Sequence, residues 1–346
     1  MKSTVKILKA TLLILFFMSC NTTIEDANNL FSIEIKDAKT TFSETDVLSL
    51  SISNKKEKTI EKIEYALDQG KKSSDSNISL ENAKMGNRNI TAFIKTDGKT
   101  YEITKTIKVL PSQTPKLYGY TIIDSYPHDS KAYTQGLEFH NDTLYESTGQ
   151  RGKSSLRKTN YKTGKVLQQV DLEPHYFGEG ITLLNNKIYQ LTWQAKTGFI
   201  YNLKTLEKTG TFVYSNSKEG WGLCNNGTKI FKSDGTEKIW TLNANTLAEE
   251  DAIEIYTNTN IINNVNELEW VEGKIYANIY QKDAIAIVNP NNGAVEGVIN
   301  LKGLQEKVTQ HTTLDVLNGI AYKGEPNILY VTGKNWDKLF KIEIIE

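Results

Sequence analysis

Only two cysteines occur in the 346 residues, too few for a disulfide framework or a cysteine-rich zinc site. An excess of charge is also lacking: 41 Lys and Arg balance 41 Asp and Glu, giving a formal net charge of zero. No global field therefore steers the chain toward nucleic acid or an acidic surface. A membrane-spanning run is missing too, because the apolar stretch Ala10 to Met18 falls short of the roughly 20 residues a spanning helix needs. What remains is a chain with 38% hydrophobic residues, long enough for about two domains with cores of their own.

The N-terminus has the layout of an export signal. Lys2, Lys6 and Lys9 flank the apolar run, which ends in Phe17-Met18-Ser19-Cys20, a sequence that resembles a bacterial lipobox. Residues 1–19 are expected to be a lipoprotein signal peptide, and Cys20 the lipidated first residue of the mature chain. The polar segment 20–29 then forms a flexible tether, and the protein is an exported lipoprotein held at a periplasmic or cell-envelope membrane. The alternative is an ordinary cleaved signal with a chance cysteine.

Residues 30–111 carry period-two runs such as Leu30 to Ile35, Val47 to Ile52, Ile90 to Ile94 and Tyr101 to Val109. Polar turns separate them, which predicts a small immunoglobulin-like β-sandwich with a spacer or docking role. Pro111 and Pro115 then mark a linker.

Beyond the linker the chain repeats. A signature apolar residue falls at Leu137, Ile181, Leu223, Leu268 and Ile320, in steps of 44, 42, 45 and 52 residues. An apolar–aromatic pair keeps nearly the same step at Leu144-Tyr145, Ile188-Tyr189, Ile230-Phe231, Ile275-Tyr276 and Leu329-Tyr330. Repeats of about 40–50 residues with four short strands each signify β-propeller blades. The expected fold is all-β, with a five-bladed propeller over 112–346. The last repeat stops after its third strand, whereas Tyr120 to His128 is an orphan fourth strand ahead of the first repeat. Pairing these two segments would clasp the ring and remove its free edges.

The repeat register also predicts a site. Two residues before each signature apolar residue stand Gln135, Glu179, Trp221, Asn266 and Asn318, at the start of strands that line the channel. Four residues after each apolar–aromatic pair stand Gly149, Trp193, Gly235, Tyr280 and Lys334, at the exit of antiparallel second strands. Both rings should surround one mouth. They combine one carboxylate, one ammonium, three amides and three large aromatics, the make-up of a site for a small polar ligand.

At seven motifs the propeller resembles the glutaminyl-peptide cyclotransferases of the plant and bacterial type. The carriers are Tyr133 to Leu137, Phe177 to Ile181, Leu191 to Trp193 and Gly220 to Leu223, followed by Asn266 to Trp270, Leu317 to Tyr322 and Val331 to Trp336. The resemblance implies conversion of N-terminal glutamine to pyroglutamate with release of ammonia, without a cofactor or a required metal. It implies peptides or proteins with N-terminal glutamine as partners. Functional roles pass to Gln135, Glu179, Trp193, Trp221, Asn266 and Lys334, with Phe177 in the substrate-binding set on its motif. Plant members often carry tryptophan at the position of Tyr280, which keeps the aromatic wall.

In that reaction the substrate's own α-amine attacks its γ-carboxamide, so a pocket that holds a near-attack conformer lowers the barrier. The amine, with pKa about 7.7–8.0, must first lose a proton. Glu179, the only carboxylate in the rings, is assigned that proton and its delivery to ammonia. The oxyanion donors are to be found among the indole N–H groups of Trp193 and Trp221, the Asn266 amide and Lys334.

Competing readings are structural. Glu179 and Lys334 would be an ion pair, Trp193 and Trp221 would pack the channel, and Gln135, Asn266 and Asn318 would cap strands. Trp240, Trp270 and Trp336 fall off both registers and are expected to be packing residues. His128 and His175 sit beside proline at matching places, which favours a shared structural role. His140 and His311 are expected at the surface, Cys224 in a core, and Arg151 to Lys158 in a solvated loop. Two other functions remain in view. One is a calcium-dependent lactonase-like hydrolase using Glu179, Asn266 and Asn318 as oxygen ligands; the other is a non-catalytic peptide-binding surface propeller.

Overall fold

The computed structural model describes residues 24–346, so the signal segment and Cys20 lie outside the described residues. Within this range the chain is built of strands, with one helix, Ile24–Leu30, and a single 3-10 turn, Gln305–Lys307. The helix departs from the expected tether. Ala27 and Leu30, one turn apart, pack onto the core of the following sheets, and this burial orders the segment.

The N-terminal region forms two sheets. One pairs Phe31–Ile35, Val47–Asn54 and Asn77–Ser79; the other runs Thr41–Ser43, Lys99–Leu110, Gly86–Thr96 and Lys62–Leu67. Period-two alternation turns Phe31, Ile33, Leu48 and Leu50 from one sheet, and Ile90, Ala92, Ile94 and Ile107 from the other, into a common core.

Five four-stranded antiparallel units follow. The first comprises Thr134–His140, Thr143–Thr148, Ser155–Asn160 and Lys165–Asp171, and the second Gly178–Leu184, Lys187–Thr192, Thr197–Asn202 and Lys208–Val213. The third comprises Leu223–Asn225, Lys229–Ser233, Lys238–Asn243 and Glu249–Glu254, and the fourth Val265–Val271, Lys274–Ile279, Ala284–Val288 and Val295–Asn300. The fifth takes Leu317–Ala321, Ile328–Gly333 and Lys338–Ile345 from the end of the chain and Lys116–Pro127 from before the first unit. Each innermost strand packs against the next, and the fifth packs against the first, closing a ring.

The closing register runs from Lys338 opposite Pro127 to Ile345 opposite Gly119. The same early strand also pairs in parallel with the fourth unit through Lys116 to Tyr118, which merges two units into one eight-stranded sheet. His128 pins the closure. Its Nε2 lies 3.0 Å from Glu146 Oε1, and its Nδ1 lies 2.8 Å from the Trp336 carbonyl oxygen. His175 does not share this role, because its side chain is exposed. Arg157 also departs from expectation: it is buried and donates to Asp129 Oδ2 at 2.8 Å rather than standing in a solvated loop.

The N-terminal sheets dock on the third and fourth units. Tyr256 and Ala294 join their core, Met85 N donates to the Asn292 carbonyl at 2.8 Å, and Lys84 pairs with Asp251.

Candidate active site

Close approach of inner strands builds the site. A Cβ added to Gly180 would lie 2.5 Å from the Trp221 carbonyl oxygen, and one on Gly222 would lie 2.2 Å from that of Asn266. Only glycine lets the strands meet backbone to backbone here, and this sets Glu179, Trp221 and Asn266 on adjoining strands at one end of the channel. In the fourth unit Glu267 stands where the other four have glycine. Its carboxylate accepts from Leu137 N at 3.3 Å and Ile320 N at 2.9 Å, tying its strand to two others.

The second ring alternates small and large residues for a similar reason. The Phe177 ring occupies the space above Gly149, 2.3 Å from where a Cβ would stand, and the Trp221 ring does so at Gly235, at 2.5 Å. Both rings open into one cavity of about 230 Å³. Gln135, Glu179, Trp221 and Asn266 line it from the inner strands or their entry, and Trp193, Tyr280 and Lys334 from the exits of the second strands, with Phe177 beside them.

Tyr133 also lines the cavity and was not anticipated. The signal was present, since Tyr133 precedes Gln135 by two residues as Phe177 precedes Glu179. Asn318 is a correction: it lies behind the cavity, not in its wall. Its Nδ2 donates to the Thr134 carbonyl at 2.9 Å and to Gln135 Oε1 at 3.2 Å, so it holds Gln135. Glu179, Asn266 and Asn318 therefore do not converge as calcium ligands. Among the described residues no cluster of three His, Cys, Asp or Glu is suited to a metal.

The polar groups of the cavity are deeply buried, Glu179 being 4% and Lys334 3% exposed. Burial pushes the Glu179 carboxyl well above the usual carboxylate range, with the nearby Glu219 charge adding to the effect. Lys334 and a hydrogen bond from Gln135 pull the other way. Burial lowers Lys334 in turn, against the pull of Glu179 and Asp315. Lys334 Nζ lies 4.9 Å from the Tyr133 ring centre and 5.1 Å from that of Tyr280, so aromatic faces meet its charge. Tyr133 is itself held by donating to Asp315 Oδ2 at 2.7 Å. Glu179 Oε2 and Asn266 Oδ1 are buried acceptors without a partner. An unmet buried group costs about 1–3 kcal/mol, which a polar ligand in the cavity would recover.

The indoles require a second correction. Trp193 Nε1 donates to Glu219 Oε2 at 2.5 Å and Trp221 Nε1 to the same oxygen at 2.9 Å. Neither N–H is free to meet an oxyanion, and Glu219 is a carboxylate that the two registers left out. Trp193 and Trp221 act as walls, with Phe177 edge-on to Trp193 at 5.5 Å and Tyr280 edge-on to Trp221 at 5.8 Å. The other tryptophans lie elsewhere. Trp240 donates to Asp234, Trp270 stacks on Phe231, and buried Trp336 donates to the Asp315 carbonyl.

The glutamine cyclotransferase family model matches residues 94–344. A glutaminyl-peptide cyclotransferase of Arabidopsis thaliana is 40% identical over 226 residues, covering 64% of this chain and 70% of that protein. The crystal structure of Myxococcus xanthus glutaminyl cyclase aligns with a TM-score of 0.62 at 31% identity, over 67% of this chain and 98% of that one. With its ring of sheets and buried Glu179 cavity inside the matched span, this chain belongs to the glutamine cyclotransferase family.

Proposed function

We propose that this protein is a glutaminyl-peptide cyclotransferase, closing the N-terminal glutamine of peptides or proteins to pyroglutamate with release of ammonia. One observation carries the site assignment: a buried carboxyl with an unpartnered oxygen, Glu179, shares an aromatic-walled cavity with Lys334. In the proposed mechanism the α-ammonium enters beside Glu179, which takes one proton and frees the amine. The amine nitrogen attacks the γ-carbonyl carbon, and the carbonyl electron pair moves onto oxygen. Lys334 and the Asn266 amide are the donors left for that oxyanion once the indoles are engaged. The bond to the amide nitrogen then breaks as Glu179 returns its proton. The second proton on the attacking nitrogen also leaves with the departing group, so the products are the lactam and ammonium. Gln135, held by Asn318, is placed to read the substrate amide or backbone.

Mass spectrometry of a Gln-initiated peptide tests this reading. Wild type should release ammonia above the spontaneous rate, and a folded Glu179→Gln variant should be slower by roughly 10²- to 10⁴-fold. Equal turnover by the two would remove Glu179 from the mechanism.

The proposal extends to location. The lysines and apolar run before Cys20 support export and a lipid anchor, with the N-terminal sheets between anchor and ring. Release of a Cys20→Ser variant from the membrane fraction would bear this out, and an unchanged distribution would oppose it.

A further inference from the structure

Glu219 stands two residues ahead of Trp221, in the register where the first two units carry Tyr133 and Phe177. Its Oε2 receives both indole N–H groups, from Trp193 at 2.5 Å and Trp221 at 2.9 Å, while Oε1 accepts from Gln194 Nε2 at 3.3 Å. The two tryptophans belong to the second and third units, so one carboxylate ties together two walls of the cavity. The segment that carries it has no regular secondary structure but is firmly held. Buried Lys232 donates to the Glu219 carbonyl at 2.7 Å and to Ser217 Oγ at 2.5 Å. Glu249 accepts from Asn216 N at 2.8 Å and Ser217 N at 3.1 Å, and lies 3.4 Å from Lys232 Nζ. Gly220 N donates to the Trp193 carbonyl at 3.0 Å, which closes the link from the backbone side.

We infer that Glu219 is a positioning residue for cyclisation, fixing the planes of Trp193 and Trp221 as the walls against which the glutaminyl side chain folds back on its own amine. The inference rests on the reaction proposed above. Hydrogen bonds to a carboxylate are about twice as strong as neutral ones, and an indole held by its N–H cannot turn without breaking one. Ring closure is sensitive to such wall positions, because the pocket contributes by selecting a folded conformer that brings nitrogen to carbonyl.

The test measures cyclisation of a Gln-initiated peptide by wild type, Glu219→Ala and Glu219→Gln, together with the ¹H–¹⁵N indole resonances of each protein. In Glu219→Ala, kcat/KM should fall about 10- to 100-fold, as expected for loss of charge-assisted bonds. The Trp193 and Trp221 indole protons should move upfield while those of Trp240, Trp270 and Trp336 stay. Glu219→Gln keeps an acceptor oxygen and should recover most of the lost activity. Unchanged cyclisation in Glu219→Ala, or unmoved Trp193 and Trp221 resonances, would overturn the inference. If Glu219→Ala does not fold, Glu219→Gln decides alone, since a neutral acceptor must still shift both resonances partway upfield. Failure of the wild type to cyclise any Gln-initiated peptide would instead overturn the reaction, and the resonances would still report on the clamp.

Discussion

Glu179 and Lys334 line the same buried cavity, yet no ion pair within 4.0 Å joins them, and Glu179 Oε2 has no partner. A carboxyl and an amine left apart in a poorly solvated space remain available to a substrate carrying both an ammonium and an incipient oxyanion. Their influence is still mutual: the lysine lowers the carboxyl that burial has raised. Removing the lysine charge must therefore raise Glu179 further. In Lys334→Met the acidic limb of the kcat/KM profile should move to higher pH, and the plateau should drop by roughly 10²- to 10³-fold, as for loss of an oxyanion donor. Rate profiles of both proteins on one Gln-initiated peptide check this, since the substrate amine titrates identically in each.

Asn318 lies behind the cavity and donates to Gln135, which lines it. Asn318→Ala and Gln135→Ala should each raise KM, and the double variant should lose less than the sum of the two. A coupling of about 0.5–3 kcal/mol is expected for residues in direct contact. Steady-state kinetics of the four proteins measures it, and strict additivity would return Asn318 to an independent role.

Glu138 contributes to a pH response of the fold together with the buried Glu267 and Glu269, whose carboxyls are also raised by burial and by the neighbouring Glu138 charge. The Glu138 carboxyl accepts from Leu183 N at 3.1 Å, and burial of this half-buried side chain pushes its pKa up to about 8. A raised acid binds its proton more tightly folded than unfolded. Its contribution is therefore fully present below the unfolded value of about 4.3 and is lost as pH rises through about 8. Tm should be lower at pH 9 than at pH 5, and Glu138→Gln should flatten part of that decline. Thermal melts at the two pH values provide the check.

The proposed chemistry routes its proton through Glu179 and its charge stabilisation through Lys334, with a nucleophile already tethered to its target. Excess EDTA should accordingly leave the cyclisation rate unchanged. A loss of rate that calcium or zinc restores would require a different mechanism.

Much of the site was legible because the repeat acts as a ruler. Residues two before the signature Leu or Ile must start an inner strand, and residues four after the apolar–aromatic pair must leave a second strand, so the two rings follow from spacing alone. The same ruler, read two residues earlier, points to Tyr133, Phe177 and Glu219. Phe177 is identified by its motif, but Tyr133 and Glu219 are not read from the registers because they precede the strands, where backbone direction no longer follows from alternation. The helix Ile24–Leu30 was missed for a related reason: a seven-residue polar segment has weak helical signal, and it is ordered by Ala27 and Leu30 meeting a core formed by distant strands.

The sequence by itself determined the step of the repeat, the pairing of the segment Tyr120 to His128 with the end of the last repeat, and the residue types that meet at the channel mouth. Tertiary structure alone decided which of those side chains are free. Asn318 turned to Gln135, both indoles turned to Glu219, and Glu179 and Lys334 stayed apart. Alternation and spacing fix where a Cα lies and which way its Cβ points. Hydrogen bonds between residues from different sheets depend on rotamers and on distances of a few tenths of an ångström, which exist only once the ring has closed.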